Sequence, residues 1–141
     1  MDIAHVIQTS IAPVFLFTGI AATLGVFTNR LARIVDRARK LESDLETHPG
    51  RATHLNADLA ALERRARYIN SAISLSGLAA LLTSLVIVML FASAFVGRGF
   101  ALVTALLFVV AILCLSAAFI VFLLEVRVAV ASLRIGLPHH P

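Results

Sequence analysis

Few residues in this chain could do chemistry, and most of them fall at one level along its apolar stretches. Asn29, Arg30 and Arg33 leave the first stretch, Arg67 and Asn70 enter the second, and Glu125 and Arg127 leave the third. A carboxylate at the edge of hydrocarbon is costly unless it pairs, so Glu125 needs a cation, and Arg30, Arg33 and Arg67 are the nearest candidates. Two chemistries fit such a layer. Glu125 is either a proton or cation site, or a counter-ion that locks the third helix to the others, and the abundance of arginine favours the counter-ion. Arg30, Arg33, Arg64, Arg65, Arg67, Arg127 and Arg134 form a band that could hold anionic lipid headgroups, worth about 1 kcal/mol each near the surface. The same band serves equally as a plain topology signal.

Other reactive types are sparse. His48 and His54 flank a turn without cysteines or a positioned carboxylate, a weak metal signal. Cys114 stands alone inside the third apolar stretch and reads as a small packing residue. Hydrolase elbow, phosphate-binding loop, dinucleotide glycine fingerprint and paired carboxylates are all missing from the sequence, so neither an enzyme nor a cofactor is expected. Nucleic-acid binding would need a basic face with stacking aromatics. The only Tyr, Tyr68, lies at the start of the second stretch, so no nucleic-acid partner is expected.

The elements that would position these residues are transmembrane helices. The chain has 141 residues, 60% of them hydrophobic and only 14% charged. Three intervals carry no Asp, Glu, Lys or Arg: Ile3 to Asn29, Ile69 to Gly97, and Gly99 to Leu124. Each exceeds the roughly 20 residues that span hydrocarbon about 30 Å thick. The expected fold is an all-α membrane protein with spans at about 6–27, 69–95 and 100–124, a helical hairpin at about 28–68, and a tail at 125–141. Asp2 precedes the first apolar run and Arg30, Arg33, Arg37, Arg39 and Lys40 follow it, the reverse of a cleaved signal. Nine of the 12 Lys and Arg residues lie between the first two spans. The positive-inside bias therefore puts the hairpin and C-terminus in the cytoplasm and the N-terminus outside.

Within the hairpin, Leu31, Ile34, Val35, Ala38, Leu41 and Leu45 recur at helical spacing, and His48-Pro49-Gly50 reverses the chain. Leu55, Leu59, Leu62, Ala66 and Ile69 follow at offsets of four and three, the seam of an antiparallel coiled coil. Straight helices from Asn29 to Glu46 would project about 27 Å. Asp36 with Lys40 and Glu63 with Arg67 are acid-before-base pairs that would support helicity. In the spans, Gly19, Ala22 and Gly25 make one small-residue strip, and Asn70, Ser74, Gly77 and Ser84 share a face of the second span, interrupted by Leu81. Such faces admit close helix contact and cross-helix hydrogen bonds. Pro13, after the polar run Gln8, Thr9, Ser10, should bend or start the first span.

The segments VIQTSIAPVFLFTGIAATLGVFTNRLARIVDRARKLE, Val6 to Glu42, and FLLEVRVA, Phe122 to Ala129, resemble a family of small bacterial membrane proteins called domain of unknown function 2721. Ile11-Ala12-Pro13 and Asn29-Arg30-Leu31 carry the resemblance, which covers nearly the whole chain in layout. It implies a bacterial inner-membrane protein and brings no catalytic residue with it. The functional expectation is a non-enzymatic homo-oligomeric scaffold or partner-docking protein acting through its hairpin, its surroundings being the lipid bilayer. The alternative is a small oligomeric ion channel or carrier with Glu125 near its inner mouth.

Overall fold

The computed structural model describes residues 3–47, 50, 52–96 and 98–134, and every extended element among them is helical. Helix α1 covers Ile3–Thr47, α2 covers Ala52–Val96, and α3 covers Ala101–Arg134, entered through a 3-10 turn at Arg98–Phe100. The first span and the first arm of the hairpin are thus one helix, as are the second arm and the second span. Nothing in the sequence interrupts either one: no proline or glycine lies between Gly25 and Thr47 or between Ala52 and Ser76. The reversal at His48-Pro49, Gly97 of the link and the tail from 135 onward lie outside the described residues.

Pro13 sits inside α1, ten residues past its start, so it does not begin the helix. It removes the N–H that would reach the Thr9 carbonyl. That turn borders an open cavity of about 310 Å³ between the three helices, where Thr9 and Pro13 meet Val86 of α2 and Phe108 of α3.

All three helices are long and apolar enough to cross a membrane. Helix α2 lies against both others, and the buried positions repeat every seven residues on each helix. On α1 they are Val6, Pro13, Ile20, Phe27 and Ile34; on α3 they are Thr104, Ala111, Ala118 and Glu125. On α2 they run Ile69, Ala72, Ser76, Ala79, Thr83 and Val86, in steps of three and four. This is the spacing that keeps helices in contact when they cross at about 20°. Ala72, Ser76, Ala79, Thr83, Ala111 and Ala118 bring small residues to the inside of α2 and α3, whereas Phe15, Leu81, Val88, Leu102, Leu113 and Ile120 face outward. Lipid tails make that arrangement inexpensive: outward leucines lose nothing in hydrocarbon, and close approach of the backbones supplies the dispersion contacts.

Hydroxyl groups in the spans are mostly satisfied within their own helix. Thr83 Oγ1 donates to the Ala79 carbonyl at 2.7 Å, Thr104 Oγ1 to Phe100 at 2.9 Å, and Ser10 Oγ to Val6 at 2.8 Å. This is the standard recourse where no water is available. Among the described residues, Ser76 Oγ is buried with no hydrogen-bond partner.

Below the spans, Ile34 of α1 packs with Leu62 and Ile69 of α2, flanked by Leu31, Ala38, Leu41 and Ala66. Of the positions read from the leucine spacing, Leu31, Ile34, Ala38 and Leu41 thus meet Leu62, Ala66 and Ile69, whereas Val35 is exposed. Neither Asp36 with Lys40 nor Glu63 with Arg67 closes into an ion pair among the described residues, so helicity in this region rests on the apolar seam.

Where backbones approach through alanine, added bulk is expected to be expensive. Ala118→Leu, at a site with no exposure between Phe27 and Ala72, should destabilise the protomer by about 1–3 kcal/mol, whereas Ala22→Leu on the outer face should leave protomer stability unchanged. Thermal unfolding of the purified monomer in detergent checks both.

Candidate functional site

The charged layer is built where the apolar seam of α2 runs out. Stepping back seven residues from Ala72 places Arg65, partly buried, on the stripe that faces α3, and stepping forward seven from Ala118 on α3 places Glu125 there. Arg30 follows Phe27 by three residues on α1, near the same level. Glu125 is fully buried and receives both arginines. Arg65 Nε donates to Glu125 Oε1 at 2.9 Å, and Arg30 Nε lies 2.8 Å from Oε2. The Arg30 contact is a close charge pairing that lacks hydrogen-bond alignment, so its Nε and Oε2 count as buried atoms without a hydrogen bond. One carboxylate thereby ties all three helices together.

An aromatic floor borders the layer on the side of the apolar stretches. Phe27 stacks on Phe122 with centroids 4.9 Å apart and meets Phe119 edge-on at 6.1 Å. The guanidinium of Arg30 lies 5.3 Å from the centroid of the Phe122 ring, a cation–π contact. The rings of Phe27, Phe119 and Phe122 thus pack together next to the charged layer, on the side of the apolar stretches.

The structure thus brings together two of the expected layer residues, Arg30 and Glu125. Arg33 and Arg67 are exposed and make no ion pair among the described residues. Arg33 instead lines a cleft with Arg30, Arg37 and Arg65. Asn29, Asn70 and Arg127 are exposed as well. Arg65 is the partner that leucine spacing alone did not single out. Its signal is that α2 has two seams, and the one facing α3 includes residue 65 whereas the one facing α1 includes Ala66.

The small-residue faces also lie apart from the protomer core. Gly19, Ala22 and Gly25 are exposed, with open space where a side chain on either glycine would project, and the same holds for Gly77. Ser74 and Ser84 are exposed and donate within their own helix, Ser74 to the Asn70 carbonyl at 3.0 Å and Ser84 to Leu81 at 3.1 Å. Packing inside the protomer uses the opposite stripe, Ala72, Ser76, Ala79 and Thr83. His54 is exposed and His48 lies outside the described residues; among the described residues no group of three or more His, Cys, Asp or Glu comes together.

The chain matches the family described as Protein of unknown function (DUF2721) over residues 10–135, a stretch that includes Arg30, Arg65 and Glu125. It belongs to that family. No curated protein and no solved structure matches it.

Removing the carboxylate should leave two arginines facing each other at the helix junction. Glu125→Ala is expected to destabilise by about 3–5 kcal/mol, the usual cost of orphaning buried charge. In double-mutant cycles the coupling of Glu125 to Arg65, about 1–3 kcal/mol, should exceed its coupling to Arg30, because Arg65 is less exposed, 17% against 33%, and better aligned. Unfolding of the single and double variants in detergent measures both terms, and equal couplings would show that alignment counts for little here.

Proposed function

We propose that this member of the DUF2721 family is a non-enzymatic membrane scaffold, in which a helical hairpin on the cytoplasmic side is held rigidly to the spans and mediates self-assembly or partner docking. The observation that carries the reading is continuity. Helices α1 and α2 each pass unbroken from span to hairpin, and the Arg30–Glu125–Arg65 clasp fixes α3 at the junction. A site for proton or cation binding needs a carboxylate with access and a changeable partner. Glu125 has no exposure and two arginines within 2.9 Å, so its chemistry is that of a structural counter-ion.

The arms carry an apolar seam inside and charged residues outside, the construction of a docking stalk. The positive charge between the first two spans supports the cytoplasmic placement of the hairpin and C-terminus, with the N-terminus outside. A bacterial inner membrane is the corresponding setting. Homo-oligomerisation is supported by the outward strip Gly19, Ala22 and Gly25, which leaves room for another helix to approach closely.

One observation favours the channel or carrier alternative: Asn70, Ser74, Gly77 and Ser84 face away from the protomer core and could line an axis between copies. Their neighbour Leu81 is also exposed, and the two hydroxyls already donate within α2, which weighs against a wide aqueous path.

Two measurements test these readings. Native mass spectrometry of the full-length protein should detect an oligomer that Gly19→Leu with Ala22→Leu dissociates while leaving helicity and monomer unfolding unchanged; a wild-type protein that stays monomeric would remove self-assembly from the proposal. Proteoliposomes should show no ion or proton flux above empty vesicles. Flux that Ser74→Leu with Ser84→Leu abolishes would instead put the channel reading first.

A further inference from the structure

The clasp leaves more positive charge than it uses. Arg30, Arg33 and Arg37 follow one another at offsets of three and four, so they share a face of α1. With Ile34, Leu62 and Arg65 they line an open cleft of about 420 Å³ beside Glu125. An adjoining cleft of about 350 Å³ shares Arg30, Arg37 and Arg65 and adds Asp58 of α2 and Ala129 of α3. These volumes lie in the range of small-molecule sites, roughly 300–1,000 Å³.

We propose that this cleft binds a phosphate group, carried by an anionic lipid headgroup or free in solution. The inference goes beyond the scaffold reading and does not depend on it. Arg33 and Arg37 form no ion pair among the described residues, and Arg30 and Arg65 contact Glu125 through Nε alone. Each guanidinium has five N–H donors, so both retain their terminal fork, whose spacing matches two oxygens of a phosphate. Four guanidinium groups here face the carboxylates of Glu125 and Asp58, the acidic residues among those lining or contacting the clefts. The excess of two positive charges suits an anion carrying one or two negative charges.

Like charges three and four apart on a helix repel weakly; Glu125 relieves this at Arg30, and an anion against Arg33 and Arg37 would relieve the rest. The aromatic floor of Phe27 and Phe122 ends directly above Arg30. Arg30 lies about 4.5 Å along α1 beyond Phe27 and Arg37 about 15 Å beyond it, so the cleft starts where the charge-free interval ends at Asn29 and runs away from the apolar stretch. A lipid phosphate can enter from one side and a soluble phosphate from the other.

The test uses the full-length protein in detergent with three probes: phosphatidylglycerol bearing a fluorescent acyl chain, the matching phosphatidylcholine, and inorganic phosphate followed by phosphorus NMR line broadening. Phosphatidylglycerol or inorganic phosphate should bind, and Arg33→Gln with Arg37→Gln should weaken that binding roughly 30-fold. Arg39→Gln with Arg64→Gln removes the same charge outside both clefts and should change it less than about threefold. Phosphatidylglycerol that inorganic phosphate displaces assigns the site to the phosphate group itself; phosphatidylglycerol that it does not displace assigns it to the headgroup in its lipid. Should the glutamine pair fail to fold, Arg33→Lys with Arg37→Lys retains charge without the fork and should still bind several-fold more weakly than wild type. The proposal is overturned if phosphatidylglycerol binds no better than phosphatidylcholine and phosphate alone does not bind, or if the cleft and control variants lose binding equally.

Discussion

A carboxylate withdrawn from water must be neutralised where it stands, and at Glu125 that requirement organises the molecule. Its two oxygens meet one arginine from α1 and one from α2, so a single residue of α3 reports on the position of both neighbours. Apolar contacts between lipid-embedded helices are poor at choosing a register, because lipid tails and leucine side chains are equally good company. A buried charge pair is different. Sliding α3 by one residue would carry Glu125 off the seam and leave three charges unpaired at the hydrocarbon edge. The small residues inside the bundle permit close approach, and the clasp determines which close approach is adopted.

In the proposed scaffold the hairpin takes its rigidity from this junction. Its arms are the ends of the same helices that form the first two spans, so tilting the hairpin would require bending α1 and α2 at the level where Phe27, Phe122 and the clasp hold them. Between Gly25 and Thr47 of α1 and between Ala52 and Ser76 of α2, no glycine or proline is present to absorb a bend. The surplus arginines Arg33 and Arg37 follow on the face of α1 that carries Arg30, and they give this end of the bundle its chemical character. The opposite end differs: an apolar cavity, a proline within α1 and hydroxyl groups satisfied by their own helix leave no charge among the residues that line it.

Much of this was legible residue by residue. Three charge-free intervals sufficed for three spans because burying a charge in hydrocarbon costs more than any packing could recover there. The leucine and isoleucine spacing from Leu31 to Ile69 exposed the contact between α1 and α2, since both arms are amphipathic against water. The need of Glu125 for an arginine followed from its place after 26 residues without charge, Gly99 to Leu124, and Arg30 was among the partners expected. Span packing was harder to read. Gly19, Ala22, Gly25, Ser74, Gly77 and Ser84 attract attention as small residues, yet the protomer packs through Ala72, Ser76, Ala79, Ala111 and Ala118. Inside a uniformly apolar helix small residues occur on several faces, and hydrophobic periodicity carries no information about which face meets a neighbour.

By itself, then, the sequence determined the number of helices, their apolar character and the level of the charged layer, because the cost of burying charge depends on local composition alone. The tertiary structure decided which arginines serve Glu125. Arg65, Arg64 and Arg67 are within three residues of one another on α2, and only the line of contact with α3 selects the first. That line is a property of two helices together: it depends on where Ala72 and Ala118 allow them to touch around Phe27, and from there the seven-residue repeat carries Arg65 and Glu125 into the same buried layer.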